Sequence, residues 1–311
     1  MGLKLPGDAC APTVRTGSVA VFGNRPRSSL MKKIFHLMAF VALILLAFGA
    51  AGDRISPRIG EFRTPREAVT EADGMPNWTN DPAFQQDVFT FARVHYTVDG
   101  THGYGKDPET RWAIDSPNSD LNLSWRVQQI TSVKTDPNGR YIRITDRELV
   151  NFPFLYIVEP GRLTWTDEEL PILRQYLLNG GFLMFDDFWA DREWQDFEIE
   201  MKRLFPKRPI EDLQLDHPIF RQVMELQEKP QVPGLLHFLA GRTHERGFQG
   251  EEVHYRGIYD DKRRLMVVIC HNTDLGDGWE REGENVEFFR QYSEKKAYPM
   301  GINILVYAMT H

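Results

Sequence analysis

The residues best suited to chemistry stand where apolar runs end. In "GGFLMFDDFW" (180–189), four apolar side chains lead into adjacent carboxylates, Asp186 and Asp187, with Trp189 just beyond. "FPFLYIVEPG" (152–161) leads into Glu159, and "LMVVICHNTDLGDGWE" (265–280) into His271, Asn272, Asp274 and Asp277. Carboxylates and an imidazole are the groups used for general acid–base transfer. With an amide and indoles they also suit hydrogen bonding to hydroxyls and stacking on rings. Neighbouring carboxylates repel, so the pKa values of a pair such as Asp186–Asp187 would split.

Each group also has a structural reading. Asp187 could cap the following helix, but adjacent strand residues point to opposite sides, so both aspartates are not expected to cap it together. His271 could be a hydrogen-bonded structural histidine. Asp274 and Asp277, interleaved with Gly276 and Gly278, read first as a tight turn. Trp189 and Trp279 could be packing residues. A hard divalent cation would suit Asp186, Asp187, His271 and Asp277, but their spacing matches no ligand signature, so neither a metal nor a cofactor is assigned. "GTHGYGKD" (100–107), with His102 and Tyr104, opens no helix and does not fit a phosphate loop. It reads as a flap. No GxSxG or HExxH occurs.

The elements that must position these groups alternate. "FTFARVHY" (89–96), "RYIRIT" (140–145), "FPFLYIVE" (152–159), "FLMFDD" (182–187) and "RLMVVICHN" (264–272) read as strands. The central ones are continuous apolar runs, as expected for strands buried on both faces. Between and after them, helical spacing appears at 119–132 (Ser119 as N-cap), 166–181, 192–206 and 299–311. The second helix has a capping box, Thr166 with Glu169, and a Gly180–Gly181 stop. Residues 207–262 read as irregular. The alternation predicts a three-layer α/β domain with an open, mainly parallel sheet. In such sheets ligands bind beyond the carboxyl ends of the strands. Glu159, Asp186, Asp187, Trp189, His271, Asn272, Asp274 and Asp277 are therefore the expected ligand-binding set.

The chain has 311 residues, 41% apolar and 26% charged, with a net charge of -7. Residues 1–51 hold six basic residues and one acid, which leaves 31 basic against 43 acidic residues in the remainder. That body lacks the basic surface nucleic acid requires. "MKKIFHLMAFVALILLAFGAAG" (31–52) has the basic start, short apolar core and small-residue end of an export signal. The expected organisation is an upstream segment 1–30, a signal peptide or membrane anchor 31–51, a Pro-containing leader 52–87 and a domain 88–311. The expected location is periplasmic or extracellular, with membrane contact through residues 34–51 if they are retained. Cys10 and Cys270 support no disulfide framework, and Cys270, within an apolar run, reads as a buried hydrophobe.

"FTFARVHY", "LPILRQYLLNGGFLMFDDFW", "DHPIF" (216–220), "VVICHNTDLGDGWE" and "GINILVYAMTH" together resemble the bacterial domain-of-unknown-function family 4159 over roughly residues 88–311. That resemblance implies the flavodoxin-like sandwich of class I glutamine amidotransferases. It implies no activity. In that superfamily a nucleophilic cysteine follows the strand after the Gly-Gly-ended helix, where this chain has Asp186 and Asp187. Glutamine hydrolysis needs a thiolate, so it is not expected. Two readings follow: a non-catalytic envelope module binding a small molecule (carbohydrate among the candidates) or a protein partner, and a hydrolase using Asp186 or Asp187 with His271, with or without a metal. A structural partner in a membrane complex is a third.

Overall fold

Among the described residues, seven strands form one sheet because the apolar runs have nowhere to hide but between two layers of helices. A computed structural model describes residues 59–69, 74–84, 87–98 and 108–311. The upstream segment, the export segment and the 100–107 flap lie outside the described residues, as does part of the leader. The strands are β1 (Ala92–Val94), β2 (Arg140–Ile142), β3 (Phe154–Val158), β4 (Phe182–Phe188), β5 (Glu211–Asp212), β6 (His254–Tyr259) and β7 (Leu265–His271). Their order is β2-β1-β3-β4-β7-β6-β5. The first five in that order run parallel, whereas β6 pairs antiparallel with both β7 and β5. The chain is therefore α/β with a mostly parallel sheet, as the alternation predicts. Residues 207–262 depart from expectation: they supply β5, β6 and a short helix. β6 escaped notice because its burial alternates only partly and Gly257 interrupts it.

The helices used below are α1 (Asn118–Ile130), α2 (Glu169–Leu178), α3 (Ala190–Leu204), α4 (Leu235–Leu239), α5 (Leu275–Glu280) and α6 (Tyr298–Thr310). Alternate strand residues feed two cores. Tyr156, Met184 and Val268 pack with Leu123 of α1, Trp279 of α5 and Ile304 of α6. Leu155, Phe185 and Ile269 pack with Leu177 of α2 and Phe197 of α3. All seven residues of β4 and of β7 are buried, which is why neither strand shows a polar face in the sequence. Among the described residues, no helix is long and apolar enough to cross a membrane.

The capping box forms as read. The Glu169 amide donates to Thr166 Oγ1 at 3.2 Å, and the Thr166 amide to Glu169 Oε2 at 2.9 Å. Ser119 differs from expectation. Helix α1 starts at Asn118 with Pro117 at the cap position, and Ser119 Oγ instead accepts from Arg93 Nη2 at 2.8 Å. A buried guanidinium explains the change. Arg93 on β1 is fully buried and needs acceptors, which it also finds in Asp120 (Nη2 to Oδ1, 2.7 Å) and the Ile114 carbonyl (2.8 Å). This pair ties β1 to α1 and to the turn before it.

Removing one member of a buried pair strands the other charge, at a cost of about 3–5 kcal/mol. Arg93→Met is expected to lower unfolding free energy by that order in urea denaturation. Thr166→Ala, which removes the acceptor for the Glu169 amide and the hydroxyl donor to Glu169 Oε2, is expected to cost about 1 kcal/mol.

Candidate functional site

The carboxyl ends of β3, β4 and β7 open onto one cleft of about 200 Å³. Among the described residues, its walls hold seven carboxylates (Asp115, Glu159, Asp187, Glu193, Glu245, Asp274 and Asp277) against three arginines. Each arginine is already committed. Arg111 pairs with Glu159, Arg246 with Glu193 and Arg281 with Asp277. Among the described residues, no Lys or Arg forms an ion pair with Asp115, Asp187 or Asp274.

Backbone geometry turns these acids inward. Register between β4 and β7 slips between Phe185 and Phe188, and Asp187 within that bulge has φ of 55°. Asp186 stays in line with Met184 and faces the α5 side. There its Oδ2 accepts from Gly276 N at 2.9 Å and from Tyr156 Oη at 3.1 Å. Asp187 Oδ1 is held by Trp189 Nε1 at 2.9 Å. Glu159 (φ 47°) and Asp115 (φ 65°) also adopt left-handed conformations that L-residues seldom take, and their carboxylates reach the same cleft. Asp274 proves to be the N-cap of α5, its Oδ1 accepting from Asp277 N at 2.7 Å. Gly276 lets the two segments approach: a Cβ there would lie 2.4 Å from Asp115 Oδ2 and 2.9 Å from Tyr156 Oη, so both side chains would have to shift.

Burial and mutual repulsion dominate the electrostatics. Burial, then the charges of Glu159, Glu245 and Asp115, push Asp187 well above the ordinary carboxylate range. Asp274 rises likewise through burial and the charges of Asp187 and Asp115. Asp115 rises through burial and Asp277, although Arg93 and Arg281 oppose the shift. Burial raises Asp186 and Glu245 to about 7 each, despite the amides that stabilise them.

Five of the eight residues expected at the site line the cleft: Glu159, Asp187, Trp189, Asp274 and Asp277. Asp186 lies beneath it as a buried support. His271 and Asn272 do not join. His271 lies tilted against Phe188 and Trp194, accepts at Nδ1 from Arg256 (3.2 Å) and donates from Nε2 to the Ala190 carbonyl (3.2 Å). Burial, Arg256 and His254 hold it neutral, lowered to about 3. Asn272 (φ 60°) is a clamp, receiving Ala190 N at Oδ1 and donating to the Gln249 and Glu252 carbonyls. Cys270 is fully buried and its thiol is pushed up by burial and Asp186, so the small-hydrophobe reading fits.

Sequence reasoning missed Asp115, Glu245 and the α4 wall. Asp115 belongs to no strand end; its one signal is its place before Ser116-Pro117 at the start of α1. Glu245 comes from the stretch read as irregular. There it accepts from Gly234 N at 3.2 Å and pairs with His237 at 2.9 Å. A larger surface groove of about 790 Å³, lined by Leu149, Ile172 and Tyr176, sits beside Gly180 and Gly181, before β4 begins. It brings together no comparable set of titratable groups, so the smaller cleft is the chemical site.

Residues 90–309 match the profile of the family described as a domain of unknown function, DUF4159. The chain belongs to this family. No curated protein matches it.

His271 titrates at about 3 in the fold but near 6.5 when unfolded, so its contribution is present above about pH 6.5 and is lost as pH falls toward 3. His271→Gln is therefore expected to flatten the acid limb of stability against pH, by an amount of the order of a few kcal/mol, in denaturant titrations from pH 7 to pH 4.

Proposed function

We propose that this chain is an exported or membrane-anchored module of the cell envelope that binds a small, positively charged ligand without transforming it. The single observation behind this reading is the cleft's charge: seven carboxylates facing three arginines that are already paired. Buried like charges raise the free energy of the empty site, so a cation that neutralises them would bind and stabilise together. The volume, about 200 Å³, lies below the ~300–1,000 Å³ typical of cofactor-sized sites. It favours a single cationic group over a chain of sugar rings. The pattern at 31–52 supports export.

The finer fold assignment, a class I glutamine amidotransferase-like and flavodoxin-like sandwich, rests on the Gly180–Gly181 stop, the following strand β4 and the helices on both faces. At the position where that superfamily carries its nucleophile, this chain has Asp187 in a left-handed turn. A carboxylate cannot replace the thiolate of glutamine hydrolysis. The hydrolase reading, in which Asp186 or Asp187 is the base and His271 the acid, has little support. His271 sits outside the cleft with both ring nitrogens engaged.

The test is thermal melting of the full chain at about pH 8, above the value of about 7 to which burial raises Asp186 and Glu245. Organic amines such as spermidine and ethanolamine, and divalent cations, are expected to raise Tm in a dose-dependent way. Neutral sugars are expected to leave it unchanged, and Asp187→Asn to abolish the shift. Stabilisation by sugars alone, or cation shifts that survive Asp187→Asn, would refute the reading.

A further inference from the structure

Three of the cleft carboxylates are arranged unlike the rest. Asp115, Asp187 and Asp274 each place an oxygen within 4.8 Å of the other two. An equilateral triangle of that side has its corners about 2.8 Å from its centre, against roughly 2.3–2.6 Å for oxygen around Ca²⁺. Side-chain adjustments of a few tenths of an ångström would close the difference. The neighbouring trio Asp115, Asp277 and Glu280 has similar spacing, but Arg281 already lies against Asp277 and Glu280. That trio has its cation.

The hydrogen bonding points the same way and is independent of the clustering. Asp187 is 9% exposed and Asp274 5% exposed, and among the described residues each accepts a hydrogen bond at one oxygen only, from Trp189 Nε1 and Asp277 N respectively. Asp274 Oδ2 is left facing Gly234. Asp115 Oδ2 is fully enclosed with no hydrogen-bond partner. A buried carboxylate oxygen left without a donor, as Asp115 Oδ2 is, calls for another electrophile. One oxygen fixed and one free is also how outer-shell hydrogen bonds orient metal-ligating carboxylates.

We propose that Asp115, Asp187 and Asp274 hold one hard divalent cation of the Ca²⁺, Mg²⁺ or Mn²⁺ class at the carboxyl edge of the sheet. The assignment rests on the reading of the cleft as a cation-binding site and names its ligand. An all-oxygen donor set with neither thiolate nor free imidazole selects such ions over zinc or copper. The cleft has space for retained waters to complete the coordination shell, at about 30 Å³ each.

The experiment is Mn²⁺ binding to the full chain, followed by electron paramagnetic resonance and calorimetry, with Ca²⁺ and Mg²⁺ as competitors. One saturable Mn²⁺ per chain is expected, displaced by a competitor, with Tm raised by about 5–10 °C at a hundredfold excess over Kd. Asp115→Asn and Asp187→Asn should each weaken binding at least tenfold. Asp216→Asn, at an exposed acid outside the cleft, should not. Tb³⁺ emission sensitised by tryptophan reports occupancy in the unmutated chain, because Trp189 contacts Asp187, and so does not depend on any variant folding. Absence of saturable Mn²⁺ and Tb³⁺ binding overturns the metal assignment, as does binding that both variants retain. If amines still shift Tm through Asp187 in that case, the cleft reading survives alone; if nothing does, both fall.

Discussion

A parallel strand buried on both faces takes a polar side chain in its middle only when it is fully paired, as Arg93 is, and otherwise keeps such groups to its ends. β3, β4 and β7 each obey this rule, with apolar residues throughout and carboxylates at or just after the last turn of the run. Because the three strands are neighbours and point the same way, their ends share one edge. Negative charge accumulates there without any local preference for it. The helices on both faces then deepen the edge into a cleft and remove water that would otherwise screen the repulsion.

Two devices keep the edge intact. Amides at the start of α5 and the Tyr156 hydroxyl hold Asp186 in place, which anchors the floor. Arginines from three separate segments pair with the outer acids, Glu159, Glu193 and Asp277. What remains uncompensated is the inner set. Its members sit on left-handed backbone, at a bulge or at a helix cap, positions that direct a side chain rather than pack it. The arrangement resembles a socket more than a catalytic dyad, since His271, the imidazole expected to partner the aspartates, points away from it.

His271 illustrates how one residue of parity changes a site. In β7, Val268 and Cys270 belong to the core beneath α5, while Val267 and Ile269 belong to the core beneath α3. His271 continues the second set and ends among Phe188 and Trp194. Asp187 has the parity of Phe185 in β4 and would have gone the same way. The bulge rotates it back toward the cleft.

Much of this was legible in the chain itself. Uninterrupted apolar runs separated by capped amphipathic segments determined a parallel sheet between helices, because no other architecture buries strands on both sides. The same runs marked Glu159, Asp187, Asp274 and Asp277 as edge residues by ending in acid. The sequence could not disclose Asp115 or Glu245, which arrive from a turn and a loop whose positions depend on the buried Arg93–Asp120 pair and the α4 wall. Nor could it disclose which side of the sheet His271 takes. Local patterns specify elements; which side chains converge is decided by strand register, bulges and left-handed turns, and those are set by long-range packing.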